Sequence, residues 1–274
     1  MNRDDIGISS NLRHATSLSQ RARDTYITAV EKDTISNAIR PGGVDYSHLK
    51  SPGRDFTAVV SLNRSGGAFD KIQDAINYVN NLGGGRIFIR NGTYYLSDII
   101  NVPANIRITG EIGATTVLDF QNTTGHFQSI GADAYSDGTI SITKNTSAVT
   151  GSGTTFTSAM VGQHILLEEA WYLITVFNSA TSLTIDGPYS SRTLAAHAYA
   201  IATINTDVTI ENLTIQNSTS ATGGIYFRYC NDLSIDNILA INNTIGVNVD
   251  TSANILFNSL TTIGGVTGLQ ITNS

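Results

Sequence analysis

Cysteine is almost missing from this 274-residue chain: there is one, Cys230, and proline occurs four times. A single cysteine excludes an internal disulfide framework and a cysteine-based zinc site. Charged residues are also scarce, at 14%, with a formal net charge of −6. No stretch approaches the ~18 consecutive apolar residues of a membrane span, so no membrane insertion is expected. The opening twenty residues, MNRDDIGISSNLRHATSLSQ, lack the apolar core of a secretory signal. That predicts either a removed leader or a protein assembled inside the cell that makes it. Neither a Gly-X-Y period nor an excess of Ala, Glu, Lys and Leu is present, which excludes collagen-like and coiled-coil chains. The five histidines (His14, His48, His126, His164 and His197) are scattered without ligand spacing, so no metal site is expected.

What is present points to a folded, strand-rich chain. Apolar residues make up 41%, too many for disorder at this net charge. Residues 1–54 carry eight Lys or Arg against six Asp or Glu, a net of +2. That is far too mild for a nucleic-acid partner. Within this segment Leu18, Ala22, Tyr26, Ala29 and Val30 share one face of a helix predicted over about 15–39 and stopped by Pro41-Gly42. The apolar stripe is thin, so the segment reads as an arm that needs a partner to become ordered. Residues 55–138 open with a strand-like run at 56–62. A helix follows, with Phe69, Ile72, Ala75, Ile76, Val79 and Leu82 at helical spacing, Asp70 and Gln73 placed as a cap, and Gly83-Gly84-Gly85 as the stop. No helix starts after the glycine run, so it is not a phosphate loop. Short strands separated by turn residues come next. Residues 139–204 are dense in Ser and Thr and read as a small antiparallel β module inserted into the parent fold.

Residues 205–274 hold an internal repeat. Val208-Thr-Ile210 recurs as Leu233-Ser-Ile235 and Ile255-Leu-Phe257, Leu213 as Ile238 and Leu260, and Ile225 as Val247 and Leu269. A period in the twenties with three short strands per unit predicts a β-helix solenoid. One unit buries too few apolar side chains to offset the entropy of ordering its backbone, so it folds only between neighbours. Asn212 and Asn237 fall at equivalent turns, as do Asn217 and Asn242, where stacked amides would bond along the column. The repeat is still in phase at Leu269-Gln270-Ile271, which predicts a natural polypeptide longer than these residues.

The stretches Gly67-Ala-Phe69-Asp-Lys-Ile72-Gln73-Asp-Ala75-Ile76, Gly83-Gly-Gly-Arg-Ile-Phe-Ile89, Asn91-Gly92-Thr93-Tyr94 and Asn105-Ile-Arg-Ile-Thr-Gly110 resemble the right-handed parallel β-helix proteins of the pectate-lyase-like superfamily. The resemblance covers about residues 56–120 and 205–274. It implies an all-β chain: a right-handed parallel β-helix with an N-terminal capping helix, an inserted small antiparallel β module and an extended N-terminal arm. It is most like that of phage tailspikes and tail fibres. Lyases, hydrolases, esterases and adhesins share the superfamily, so fold alone does not give function. The run 59–76 is also similar to pectin methylesterases, but their later catalytic Gly-x-x-Asp-Phe-Ile-Phe-Gly stretch has no match here.

Glycoside hydrolysis requires two carboxylates at a set separation. Glu211 and Asp236 sit at equivalent positions of successive units, one strand spacing of ~4.8 Å apart. Arg228 is the one basic residue after Arg192 and a candidate base or uronate partner of a lyase. Against this, Glu211 and Asp236 equally suit a solvated corner of the coil, as do Asp207, Asp232 and Asp250. Tyr226, Phe227 and Tyr229 form a candidate sugar-stacking cluster, or else pack beneath a loop or subunit interface. Cys230 is expected as a small buried or corner residue. Two functions are carried forward. The first is a virion structural protein of the tailspike or tail-fibre type, homotrimeric, attached to tail or capsid proteins through residues 1–54 and recognising a host-surface polysaccharide, with no cofactor. The alternative is a secreted polysaccharide lyase or glycoside hydrolase acting on uronate-containing polymers. The repeat offers one Arg and no His, so these residues alone are expected not to degrade polysaccharide.

Overall fold

The computed structural model describes residues 56–64, 67–112 and 115–272; the arm and helix expected within 1–54 lie outside them. The described chain begins with β1 (Ala58–Val60), helix α1 (Ile72–Asn81), β2 (Gly85–Ile89), β3 (Gly92–Tyr95), β4 (Ile100–Asn101), β5 (Ile106–Gly110), β6 (Thr116–Thr123) and β7 (Phe127–Ile130). An insertion holds β8 (Ala132–Tyr135), β9 (Thr139–Ile142), β10 (Ala148–Ser152), β11 (His164–Leu167), β12 (Ala170–Ser179), β13 (Ser182–Ile185), β14 (Leu194–His197) and β15 (Ala200–Thr203). The chain then resumes with β16 (Asn205–Ser218), β17 (Ile225–Arg228), β18 (Cys230–Ile241), β19 (Ile245–Asp250), β20 (Ala253–Phe257), β21 (Leu260–Ile263) and β22 (Thr267–Thr272).

Outside the insertion these strands form a parallel β-helix. Its first face runs β1-β2-β5-β16-β18-β20 and its third face β4-β7-β17-β19-β22. The second face is made by β3, β6, the C-terminal halves of β16 and β18, and β21. The repeat columns are strand partners: Val208 with Leu233 and then Ile255, Leu213 with Ile238 and then Leu260, Ile225 with Val247 and then Leu269. Period-2 alternation sends one side chain of each pair inward. Ile87, Ile108, Leu118, Phe120, Phe127, Ile210, Ile215, Phe227 and Ile235 meet in one fully buried core.

The corners are made by residues that accept left-handed backbone. Asp207, Asp232 and Asn254 have φ of 55°, 55° and 52°; Asn212 and Asn237 have 58° and 49°; Asn217 and Asn242 have 60° and 53°. Asn and Asp enter this region at least cost because their short polar side chains bond locally. The Asn237 amide also donates to Asn212 Oδ1 at 2.9 Å, tying one rung to the next. One rung earlier the same corner is Gly110, where a Cβ would lie 1.9 Å from the Asn212 carbonyl oxygen.

Helix α1 covers the first rungs, burying Ile72, Ala75, Ile76 and Val79 against the solenoid core. The expected Asp70–Gln73 cap does not form. Lys71 is the N-cap and makes no side-chain cap bond. Gln73 instead pins the helix to β4, accepting from the Asn101 N–H at 2.8 Å and donating to its carbonyl at 3.2 Å. A long-range bond has replaced the local one.

Strands β8–β15 make a separate antiparallel sheet ordered β14-β9-β10-β13-β12-β11-β15-β8. It has its own core, with Ile140, Ile142, Val149, Phe156, Ile165, Ile174, Leu183, Ile185 and Ile201. The sheet takes in Ala132–Tyr135, ahead of the expected boundary at 139, through pairing of Tyr135 with Ile201 and Ala132 with Thr203. The module meets the solenoid where Leu166, Ala200 and Ala253 pack with Trp171 and Tyr229. The Trp171 indole N–H donates to the Cys230 carbonyl at 3.2 Å.

Candidate functional site

The first face carries the carboxylate pair. Parallel register sets Thr109 beside Glu211 and Glu211 beside Asp236, while Arg86, Arg107, Thr209 and Ser234 form the column two residues earlier. Glu211 does not occupy a solvated corner. It lies inside β16, 9% exposed, and the corner belongs to the next residue, Asn212. Arg107 grips its carboxylate with two bonds, Nε to Oε1 at 3.0 Å and Nη2 to Oε2 at 2.6 Å, and the Thr109 hydroxyl donates to Oε1. Burial pushes the Glu211 carboxyl upward, but the Arg107 and Thr109 hydrogen bonds outweigh it and hold the group below the ordinary glutamate value. Glu211 is therefore an ionised, occupied acceptor. Asp236 accepts from Asn258 Nδ2 at 2.9 Å. A glycosidase pair keeps one carboxyl protonated by raising its pKa; the environment of Glu211 works in the other direction.

The third face carries the aromatic candidates and Arg228. Its outward column is Asn101, Gln128, Tyr226, Asn248 and Gln270, each beside the next. Two residues further along the strands, Ile130, Arg228, Asp250 and Thr272 make a second outward column. Gln128 Nε2 donates to Asn101 Oδ1 at 2.6 Å, and the His126 ring Nε2 lies 3.0 Å from Gln128 Oε1. The Tyr226 hydroxyl donates to Asp250 Oδ2 at 3.3 Å. Burial, and then the Asp250 charge, raise the Tyr226 pKa above the ordinary phenol value.

Arg228 Nε stands 3.0 Å from Asp250 Oδ2, yet this buried nitrogen has no formed hydrogen bond. The pair is Coulombic, with the oxygen off the N–H axis. The guanidinium lies 4.7 Å from the Tyr229 ring centre. Asn248 Oδ1 is likewise buried without a hydrogen-bond partner.

The sequence candidates therefore divide. Glu211 and Asp236 share one face, and Arg228 stands on another, so the three do not converge. Phe227 points into the core and Tyr229 packs beneath the inserted module. Only Tyr226 looks outward, and it is 8% exposed, so the three rings make no stacking platform. Arg107, Thr109, Gln128 and Asn248 escaped the sequence reading because their roles depend on rung register, and Arg107 is 104 residues from Glu211. Among the described residues no group of three or more His, Cys, Asp or Glu is arranged to hold a metal ion. No helix among them is long and apolar enough to cross a membrane.

No protein-family model matches the chain, and no curated protein matches it. Solved structures do. The tailspike gp61 of Pseudomonas phage phi297 is 14% identical with a TM-score of 0.44, over 74% of this chain and 41% of that one. The gp54 tailspike of Acinetobacter baumannii bacteriophage AP22, solved with A. baumannii capsular saccharide, is 14% identical with a TM-score of 0.37, over 66% and 38%. The tailspike gp49 of Pseudomonas phage LKA1 is 13% identical with a TM-score of 0.33, over 67% and 43%. The matched region spans about two-fifths of the length of each tailspike.

Proposed function

We propose that this chain is the β-helix of a virion-attached phage tailspike or tail-fibre protein, homotrimeric, joined to tail or capsid proteins through residues 1–54, and that its third face recognises a host-surface glycan. One observation carries the glycan reading. Asn101, Gln128, Tyr226, Asn248 and Gln270 place one polar side chain on the outer side of every rung of that face, exposed at Asn101, half-buried at Gln128 and Gln270 and nearly buried at Tyr226 and Asn248, in steps of ~4.8 Å. A linear polymer of hydroxylated rings can offer donors and acceptors to each step of such a row. The tailspike-like resemblance and the thin apolar stripe in the sequence of residues 1–54 support attachment to a larger particle.

The in-register Glu211 and Asp236 favour the alternative, a secreted lyase or hydrolase acting on uronate polymers. The Arg107 clamp on an ionised Glu211 weighs against it. The test is to probe the full chain on an oligosaccharide array and by equilibrium sedimentation. Specific glycan binding by a trimer is expected. A stable monomer at micromolar concentration that retains no sugar would overturn the reading.

A further inference from the structure

On the third face, two buried polar atoms lack hydrogen-bond partners one rung apart. Asn248 Oδ1 needs a donor and Arg228 Nε needs an acceptor. Asn248 is 8% exposed, and a buried amide oxygen without a donor is a standing cost to the fold. The two sit in adjacent outward columns, since Arg228 pairs with Asp250 and Asp250 follows Asn248 by two residues. The backbone beside them is unusual as well. Tyr229 and Thr251, the residues after Arg228 and Asp250, have φ of 53° and 43°, and a β-branched residue there is an outlier.

Building on the glycan reading, we propose that Asn248 and Arg228 form the anchoring subsite of the third face and that its ligand is an uncharged sugar ring. One ring hydroxyl donates to Asn248 Oδ1, and another ring oxygen accepts from Arg228 Nε. A hydroxylated ring carries both functions on one rigid frame, which matches one orphan acceptor beside one orphan donor.

The charge balance selects against acidic sugars. Arg228 is already neutralised by Asp250, and residues 205–274 hold five acids against this one base. A uronate carboxylate here would face Asp250 with no free cation of the repeat to receive it. Access to Asn248 Oδ1 requires a neighbouring side chain to swing aside. Tyr226 and Gln270 are its in-register neighbours, and Gln270 is the more exposed of the two.

The test uses the full chain on an array of oligosaccharides built from neutral hexoses, deoxyhexoses, N-acetylhexosamines and hexuronates, with N248L and R228Q beside the wild type. The subsite predicts that wild type binds neutral sugars with little dependence on salt. Both variants should bind at least tenfold more weakly. N248L, which removes the orphan oxygen, should melt about 2–4 °C higher than wild type. Four outcomes overturn the proposal. If N248L melts lower or fails to fold, the amide is satisfied in the native state. If both variants bind like wild type, glycan recognition stands but lies elsewhere. If hexuronates bind best and release with salt, the charge argument is wrong. If the wild type binds nothing on the array, the glycan reading falls and the subsite with it.

Discussion

Replacing Arg107 by Met tests whether the first face depends on its clamp. The substitution keeps the apolar stem and removes both bonds to Glu211, leaving that carboxylate buried with Thr109 as its remaining partner on the preceding strand. Breaking a fully buried ion pair from one side costs about 3–5 kcal/mol, and an exposed pair is worth about 0–1 kcal/mol. Here the Glu211 side chain is 12% exposed and Arg107 43%. The expected loss falls between these limits, about 2 kcal/mol, or about 4–8 °C in melting temperature for a domain of this size. The pH dependence follows from the direction of the Glu211 shift. Its folded pKa lies below the ordinary 4.5, so the stabilisation is complete above 4.5 and is lost as pH falls through the folded value. The gap between wild type and R107M should be full at pH 7 and narrow as the pH falls below 4.5. Adding E211Q should recover part of the loss, because no buried charge is left unpaired. Thermal melts followed by circular dichroism decide the matter. Coincident curves at pH 7, or a gap unchanged at pH 3, would refute the reasoning.

Four further outcomes are expected. Gly110→Ala places a methyl group 1.9 Å from the Asn212 carbonyl oxygen and should destabilise by about 3 kcal/mol in urea titrations. Asn237→Gly loses the amide bond to Asn212, about 1 kcal/mol, but also takes a Cβ out of left-handed backbone, whereas Asn237→Ala loses the same bond, keeps the Cβ there and lacks the local side-chain bonding that lets Asn accept that region, about 1–2 kcal/mol more; the urea midpoints should fall in that order. Burial pushes the Cys230 thiol up to about 12, so a thiol reagent at pH 8 should label the protein only after unfolding. Incubated with acidic polysaccharides, the chain should release neither reducing ends nor unsaturated products; turnover that disappears in E211A/D236A would instead identify that pair as catalytic.

The register of the repeat was legible because a solenoid strand has no freedom of parity. Once Val208 and Ile210 point inward, so must Leu233 and Ile235, and a slip of one residue would turn both sets to solvent. The same alternation turns Glu211 outward within β16, while the corner falls at Asn212, the residue with left-handed backbone. Other features were hidden for physical reasons. Strand β8 is exposed over Ala132, Asp133 and Ala134, so it carries no apolar pattern to read. The N-cap of α1 falls at Lys71, and the Gln73 side chain bonds the Asn101 backbone 28 residues away. The Arg107 clamp crosses the whole insertion, and no local pattern joins residue 107 to residue 211.

That insertion leaves and returns at a single point. The Gly131 N–H donates to the Arg228 carbonyl at 2.9 Å and the Asn205 N–H to the Tyr229 carbonyl at 3.1 Å. A Cβ on Gly131 would lie 2.3 Å from the Thr203 carbonyl oxygen. On either side the rungs continue as though nothing intervened, β5 onto β16 and β7 onto β17. The eight-stranded module is thus a cartridge plugged into one corner of a rigid rack. A lineage that exchanges it need only keep cover for Tyr229 and Ala253 and a donor to the Cys230 carbonyl, the places where Leu166, Ala200 and Trp171 now meet the rungs. A one-residue insertion inside β16 or β18 would invert every side chain beyond it. The corner between Gly131 and Asn205 is where this scaffold can diversify fastest and break least.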